Sequence, residues 1–352
     1  MSIKGYKAFN KGMICKGKQY EENTTYEENG NKICKAGVMH FCENPFDVLN
    51  YYPLIDKDGN ISDFADVEAI GDIYKEKDKT ATNKLHIGAK LGLKGFIKAC
   101  VDFTIEKTKV ETVKADDVGI SSGDSAQIGS GGDYAQIGSS GDYAQIGSSG
   151  DSAKIGSSGD SAKIGSSGDY AQIGSSGYYA QIGSSGYYAK IGSSGDYAKI
   201  GSSGYYAQIG SSGYSAQIGS SGDSAQIGSG GDYAQIGSSG DYAQIGSSGD
   251  SAKIGSGGDY AQIGSSGDSA QITSEGNNSV VMAAGCNSIA KAKIGSWITL
   301  AEWIRTDKAN DSGNYIWIPK CVKTEYVDGE RIKEDIFYKL VDGEFKEVGS
   351  ED

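Results

Sequence analysis

From Ile128 to Ile272 an isoleucine returns at every ninth residue, with Ala two places before it and Gln or Lys between them. The 17 copies follow G-[DY]-[YS]-A-[QK]-I-G-S-[SG], except that the last ends Thr273-Ser274-Glu275, and no residue is gained or lost within the run. The series Tyr/Ser, Ala, Gln/Lys, Ile alternates with period two, the mark of a strand with one buried and one solvated face. Ala and Ile are predicted to point inward, Tyr or Ser and Gln or Lys outward. The Gly-Ser-Ser-Gly that follows tolerates tight-turn geometry, so a corner is predicted after each short strand. Nine residues are too few to encircle a core. Two units, about 18 residues per turn, would set Ala and Ile of opposing strands against each other in a flat, two-sided parallel β-roll; a three-unit triangular turn is the alternative.

Two degenerate copies, around Val280-Val281-Met282 and Asn287-Ser288-Ile289, are predicted to follow through a one-residue insertion near Glu275. The chain then divides into an α+β N-terminal capping domain (1–118), the β-solenoid (119–292) and a β-rich C-terminal cap (293–352). In the first part, 43–52 reads as a helix with Asn44 as N-cap and Pro45 in its first turn. Leu93, Phe96, Ile97 and Cys100 form the apolar stripe of a second helix running to about Lys107. In the last part, Trp297-Ile298-Thr299-Leu300, Tyr315-Ile316-Trp317-Ile318 and the pairs Asp328-Gly329 and Asp342-Gly343 predict β-hairpins.

The segments Gly5-Tyr6-Lys7-Ala8-Phe9, Met13-Ile14-Cys15, Gln19-Tyr20-Glu21 and His40-Phe41-Cys42-Glu43-Asn44-Pro45-Phe46-Asp47-Val48-Leu49-Asn50-Tyr51-Tyr52, with Cys34, carry a resemblance. In them the chain resembles a family of uncharacterised bacteriophage and prophage proteins that place a Gly/Ala-rich repeat between such a domain and a short β-rich end. The resemblance implies a phage setting and no particular activity.

Composition narrows the function. With 54 Gly and 37% hydrophobic residues the chain cannot build a thick core along its length. A net charge of −13 disfavours direct binding to nucleic acid, which relies on clustered Lys and Arg. The six cysteines lack the density of a disulfide framework. Residues 1–13 carry no apolar stretch of signal-peptide length and no segment is apolar enough for a membrane helix, so the expected location is the cytoplasm of a bacterial host. No phosphate loop or catalytic triad is recognisable, and a non-enzymatic protein without cofactors is expected; an enzyme in the N-terminal domain is a further reading.

Cys15, Cys34, His40 and Cys42 are a weak zinc candidate, because their spacing lacks paired C-x-x-C knuckles. A calcium-binding nonapeptide is disfavoured: in the best alignment Tyr179 takes the Asp position, and the repeat's own Asp is Tyr at 178, 187, 205 and 214. An ice-binding face would need outward ranks of Thr. Of the 17 corner positions 13 are Asp, and the four Tyr fall together in mid-repeat. Tyr170, Tyr188 and Tyr206 would stack on one face, Tyr179 and Tyr197 on the other. Tyr170, Tyr178, Tyr179, Tyr187, Tyr188, Tyr197, Tyr205, Tyr206 and Tyr214 are therefore the candidate binding residues, for a protein partner or a second copy. An acidic rod that mimics nucleic acid and inhibits a host defence or DNA-acting protein is the alternative.

Overall fold

A computed structural model describes residues 2–29, 38–108, 118–309 and 315–349. The repeat winds as a parallel β-solenoid of two units per turn, so that each strand pairs with the one 18 residues on: Ile137 with Ile155, Ile146 with Ile164, and so to the end. Two sheets result. One contains Gln127–Ser130, Gln145–Ser148 and every second strand to Ile289–Lys291; the other contains Val118–Ser121, Gln136–Ser139 and every second strand to Val280–Ala283. The isoleucines meet between them as one continuous core.

The strands lie two residues later in the period than the sequence pattern predicts. They are Gln/Lys-Ile-Gly-Ser, as in Lys190–Ser193, so the outward residues are Gln or Lys and Gly, and the inward ones Ile and Ser. Ala is buried at the end of the corner, and Tyr or Ser sits on the corner itself. The last two copies need no insertion near Glu275: Val281 pairs with Ile263 and Ala290 with Ile272, both in the 18-residue register. The register changes later, where Trp297 joins Val280.

The corner exists in two forms. Up to Ala216 the corner closes by Ala N donating to the Gly three residues before it, the Gly N donates to a buried Ser Oγ, and the residue after Asp donates to the rung below, as Tyr170 N does to Asp151 O (2.7 Å). From Ser224 onward that residue takes a positive φ, 56° at Ser224 and 57° at Tyr260, and its N–H donates to the rung above, as Ser251 N does to Asp268 O (2.7 Å). The peptide plane has turned over, as between turns of types I and II. Asp carboxylates then take the exposed backbone N–H of the next rung: Asp241 Oδ1 accepts from Asp259 N and Asp250 Oδ1 from Asp268 N, each at 2.8 Å.

The N-terminal domain builds a four-stranded antiparallel sheet (Ile3–Phe9, Asp63–Ala69, Lys84–Lys90, Thr24–Glu27), a three-stranded one, a 3-10 helix Pro45–Asn50 and helix α1, Gly92–Thr108. Asn44 caps the 3-10 helix, accepting from Phe46 N at 3.1 Å, as predicted, although the element is shorter than an α-helix. The domain does not sit on the end of the rod as a cap. It lies along the sheet that contains Gln145–Ser148, with Phe96 of α1 stacked on Phe64 of its own sheet and the opposite side of the helix against the rod. Length explains the placement: the helix is a rod of its own, and its apolar stripe can be buried only lengthwise.

At the far end Trp297–Ala309 pairs with Tyr315–Tyr326 and extends one sheet, while Phe337–Val341 pairs with Glu344–Val348 and extends the other. Asp342-Gly343 turns the second hairpin as predicted. Asp328-Gly329 does not turn a hairpin: it lies in the connection between the two, where Asp328 Oδ1 accepts from the N–H groups of Glu330, Arg331 and Ile332. Val327, Ile332 and Tyr338 close the core at this end. Among the described residues no helix is long and apolar enough to cross a membrane.

Candidate binding surfaces

The nine candidate tyrosines stand on corners and therefore on the two narrow edges of the rod, not on its flat faces. One edge carries Tyr170, Tyr187, Tyr188, Tyr205 and Tyr206. Rings one rung apart are parallel: Tyr170 and Tyr188 have centroids 5.2 Å apart at 8°, Tyr188 and Tyr206 5.3 Å at 8°, Tyr187 and Tyr205 5.3 Å at 7°. Neighbours along the chain meet edge to face, Tyr187 with Tyr188 at 4.8 Å and Tyr205 with Tyr206 at 4.6 Å. The other edge carries Tyr178, Tyr179 and Tyr197 in a looser cluster, and Tyr214, which pairs with Tyr233 two rungs beyond Tyr178. All nine are exposed. Partial desolvation, followed by the neighbouring phenols, raises the pKa of Tyr178, Tyr187 and Tyr214 above the usual phenol value. The sequence window 170–214 is thus two aromatic patches facing opposite ways.

The flat faces differ from one another although their strands repeat the same residues. On one face every outward glycine from Gly147 to Gly255 is covered: Gly183 by Val101 and Thr104, Gly219 by Ile97, Gly237 by Leu54 and Leu93. Its Gln and Lys hold the loop beside α1. Lys199 Nζ donates to Phe46 O (3.0 Å) and Asn50 Oδ1 (2.7 Å), Lys253 Nζ to Asp56 O (3.1 Å), and Leu54 N donates to Gln235 Oε1 (3.0 Å). Burial lowers the pKa of both lysines, opposed by Asp47 at Lys199 and by Asp56 and Asp58 at Lys253. On the opposite face the same columns form an open groove of ≈ 1490 Å³ running from Ile120 to Thr299. The sequence pattern missed this groove, because a strand placed two residues earlier puts Tyr, not Gly, on the face.

Of the zinc candidates, the described Cys15, His40 and Cys42 do not form a three-ligand group. Cys34 lies outside the described residues. Cys15 Sγ accepts from Tyr52 Oη at 3.1 Å, and Cys42 is buried in a strand bridge with Tyr6, its thiol pushed up to about 12 by desolvation and then by Asp47 and Asp78. His40 has its pKa lowered by burial first and Lys7 second. No three His, Cys, Asp or Glu among the described residues converge on a point that could hold a metal ion. A pocket of ≈ 660 Å³ opens beside them, lined by Lys7, Tyr20, Met39 and Tyr52 among others. Lys7 is buried over the rings of Phe9 and Tyr20 with its ammonium on His40 O (2.8 Å), and desolvation lowers its pKa.

Fold and surfaces define a β-solenoid repeat protein with a globular domain laid along one face. Residues 3–99 match the family model described as a domain of unknown function (DUF7666). No curated protein and no solved structure matches the chain.

Proposed function

We propose that the chain is a non-enzymatic scaffold or binding protein, encoded by a phage or prophage as the resemblance of its N-terminal domain implies, whose solenoid edges dock a protein partner or a second copy. The observation that carries this reading is the pair of exposed tyrosine patches. Stacking alone would explain Tyr170, Tyr188 and Tyr206, since parallel rings one rung apart stabilise a sheet. It does not explain the loss of the corner Asp at Tyr178, Tyr187, Tyr205 and Tyr214, which removes charge from the same zone. Exposed aromatic clusters ringed by polar groups are the usual composition of a docking hot spot.

The reading as an acidic duplex mimic has less support. Asp241, Asp250, Asp259 and Asp268 accept backbone N–H groups of the next rung, so in the later rungs the carboxylates have a structural role at the corner.

Replacing all four corner tyrosines by Asp restores the repeat's own residue and should keep the fold. Sedimentation and capture of the partner from host lysate should both show association lost. Splitting the set into Tyr187→Asp with Tyr205→Asp, and Tyr178→Asp with Tyr214→Asp, assigns the loss to one edge. Association unchanged in the folded fourfold variant would leave the tyrosines as lacing of the rod and reject the proposal.

A further inference from the structure

Glycine is a poor strand residue, and in a strand interior it often marks a place where another chain comes close. On the covered face the reason for it is visible. α1 lies along the glycine column, with Leu93, Ile97, Val101, Thr104 and Thr108 set against Gly237, Gly219, Gly201, Gly183 and Gly165 in turn. The fit is one of pitch: a helix advances about 5.4 Å per turn, and parallel strands are spaced about 4.8 Å apart. Each turn therefore presents one side chain to each rung, and only a hydrogen at Cα lets the helix approach.

The open face repeats this surface without the helix. A Cβ at Gly138, Gly156, Gly174, Gly192, Gly210, Gly228 or Gly246 would meet nothing within 4 Å, so no contact inside the chain requires glycine there. The column ends at Met282, beside exposed Val280 and Trp297. Alongside it run Gln and two cations, Lys154 and Lys190, and the outward positions of the strands from Gln136 to Ser265 include no carboxylate. On the covered face the equivalent lysines face Asp47, Asp56 and Asp58.

We propose that the open face is a docking groove for an amphipathic α-helix of a partner protein, carrying small and β-branched apolar residues once per turn and carboxylates on the flank that meets Lys154 and Lys190. A second copy fits less well. Its open face carries the same Lys154 and Lys190 and, on the strands from Gln136 to Ser265, no outward carboxylate to pair with them. The proposal concerns a different surface from the tyrosine edges and stands or falls separately.

The probe is a 17-residue peptide of the α1 sequence, residues 92–108, with Lys94→Glu and Lys107→Glu to put a carboxylate on each flank. Phe96→Ala removes the ring that stacks on Phe64 of the N-terminal sheet, and Cys100→Ala removes a thiol that could oxidise. A lactam between Lys98 and Asp102, which already form an i,i+4 ion pair of 2.6 Å, holds it helical. Fluorescence anisotropy against the full chain should show saturable binding. Gly174→Val, Gly192→Val and Gly210→Val together, on strands that have room for the side chain, should weaken it at least tenfold while the melting temperature is kept or raised. Lys154→Gln with Lys190→Gln should weaken it several-fold. Gly192→Val alone serves if the triple variant does not fold. Absence of saturable binding, or binding indifferent to the filled groove, overturns the proposal. A dimer of the full chain that dissociates in the glycine variant overturns it too, in favour of a second copy.

Discussion

A methyl group added to a glycine of this rod meets one of two fates. At Gly195, on a corner, a Cβ would fall on the carbonyl oxygen of Gly177, closer than any non-bonded contact, and backbone cannot yield as a flexible side chain does. At Gly192, three residues earlier on the open face, it would meet nothing. Gly195→Ala should therefore cost several kcal/mol or prevent folding, whereas Gly192→Ala should be neutral or slightly stabilising, by about 0.5 kcal/mol, because strand glycine is entropically costly. Urea denaturation of the two variants checks this, and equal effects would refute the corner geometry. The left-handed residues give a second contrast. Ser251 has φ 56°, a region that Asn and Gly enter more readily than Ser, and the chain itself places Asn278 and Asn287 there in its last copies. Ser251→Gly should stabilise by about 0.5–1 kcal/mol, and Ser161→Gly, at a corner of the other form, should destabilise by a similar amount. Thermal melts of the pair should move in opposite directions.

For a strand, the two-residue offset decides which substitutions matter. Ile200 lies 2% exposed between the sheets, while Gln208 stands on the open face. Ile200→Asp should disrupt folding by burying an unpaired charge, and Gln208→Lys should be nearly silent; circular dichroism and melting of both variants would show it. The C-terminal hairpins are anchored by carboxylates. Glu302 is held down to about 2, first by Lys320 and then by the Gly343 and Asp342 N–H groups; Glu325 is held down to about 2, first by its short contact with Arg331 and then by Lys323. A folded-state pKa below the unfolded one stabilises above the unfolded value and is lost as pH falls through the folded value. The hairpins should thus loosen between about pH 4.5 and pH 2, ahead of the rod. Fluorescence of Trp303, whose Nε1 donates to Ala284 O at 2.9 Å, reports the loosening. A tryptophan signal that changes only together with the far-ultraviolet signal of the rod would reject separate anchoring.

Across the whole molecule, stability comes from rungs stacked in one register with corners that close by backbone and Asp contacts, and no metal is required by that scheme. Chelator should leave the thermal transition in place; a fall of many degrees restored by calcium would refute it. Much of this architecture was legible in the sequence. The nine-residue period, the inward Ala and Ile, two units per turn, the apolar stripe of α1 and the turn at Asp342-Gly343 follow from local patterning, because periodicity and turn chemistry act over a few residues. The strand position within the period was not legible. Tyr-Ala-Gln-Ile and Gln-Ile-Gly-Ser both alternate, and only the corner, where Gly195 packs on Gly177, chooses between them. The tyrosine edges and the glycine faces both follow from that choice. Nor could any pattern say which face α1 would cover, since both faces are written in the same nine residues. Local patterning specifies a lattice of equivalent grooves; packing of the folded chain fills one and leaves the other open, because α1 is the one α-helix among the described residues and burying its stripe lengthwise uses a single face.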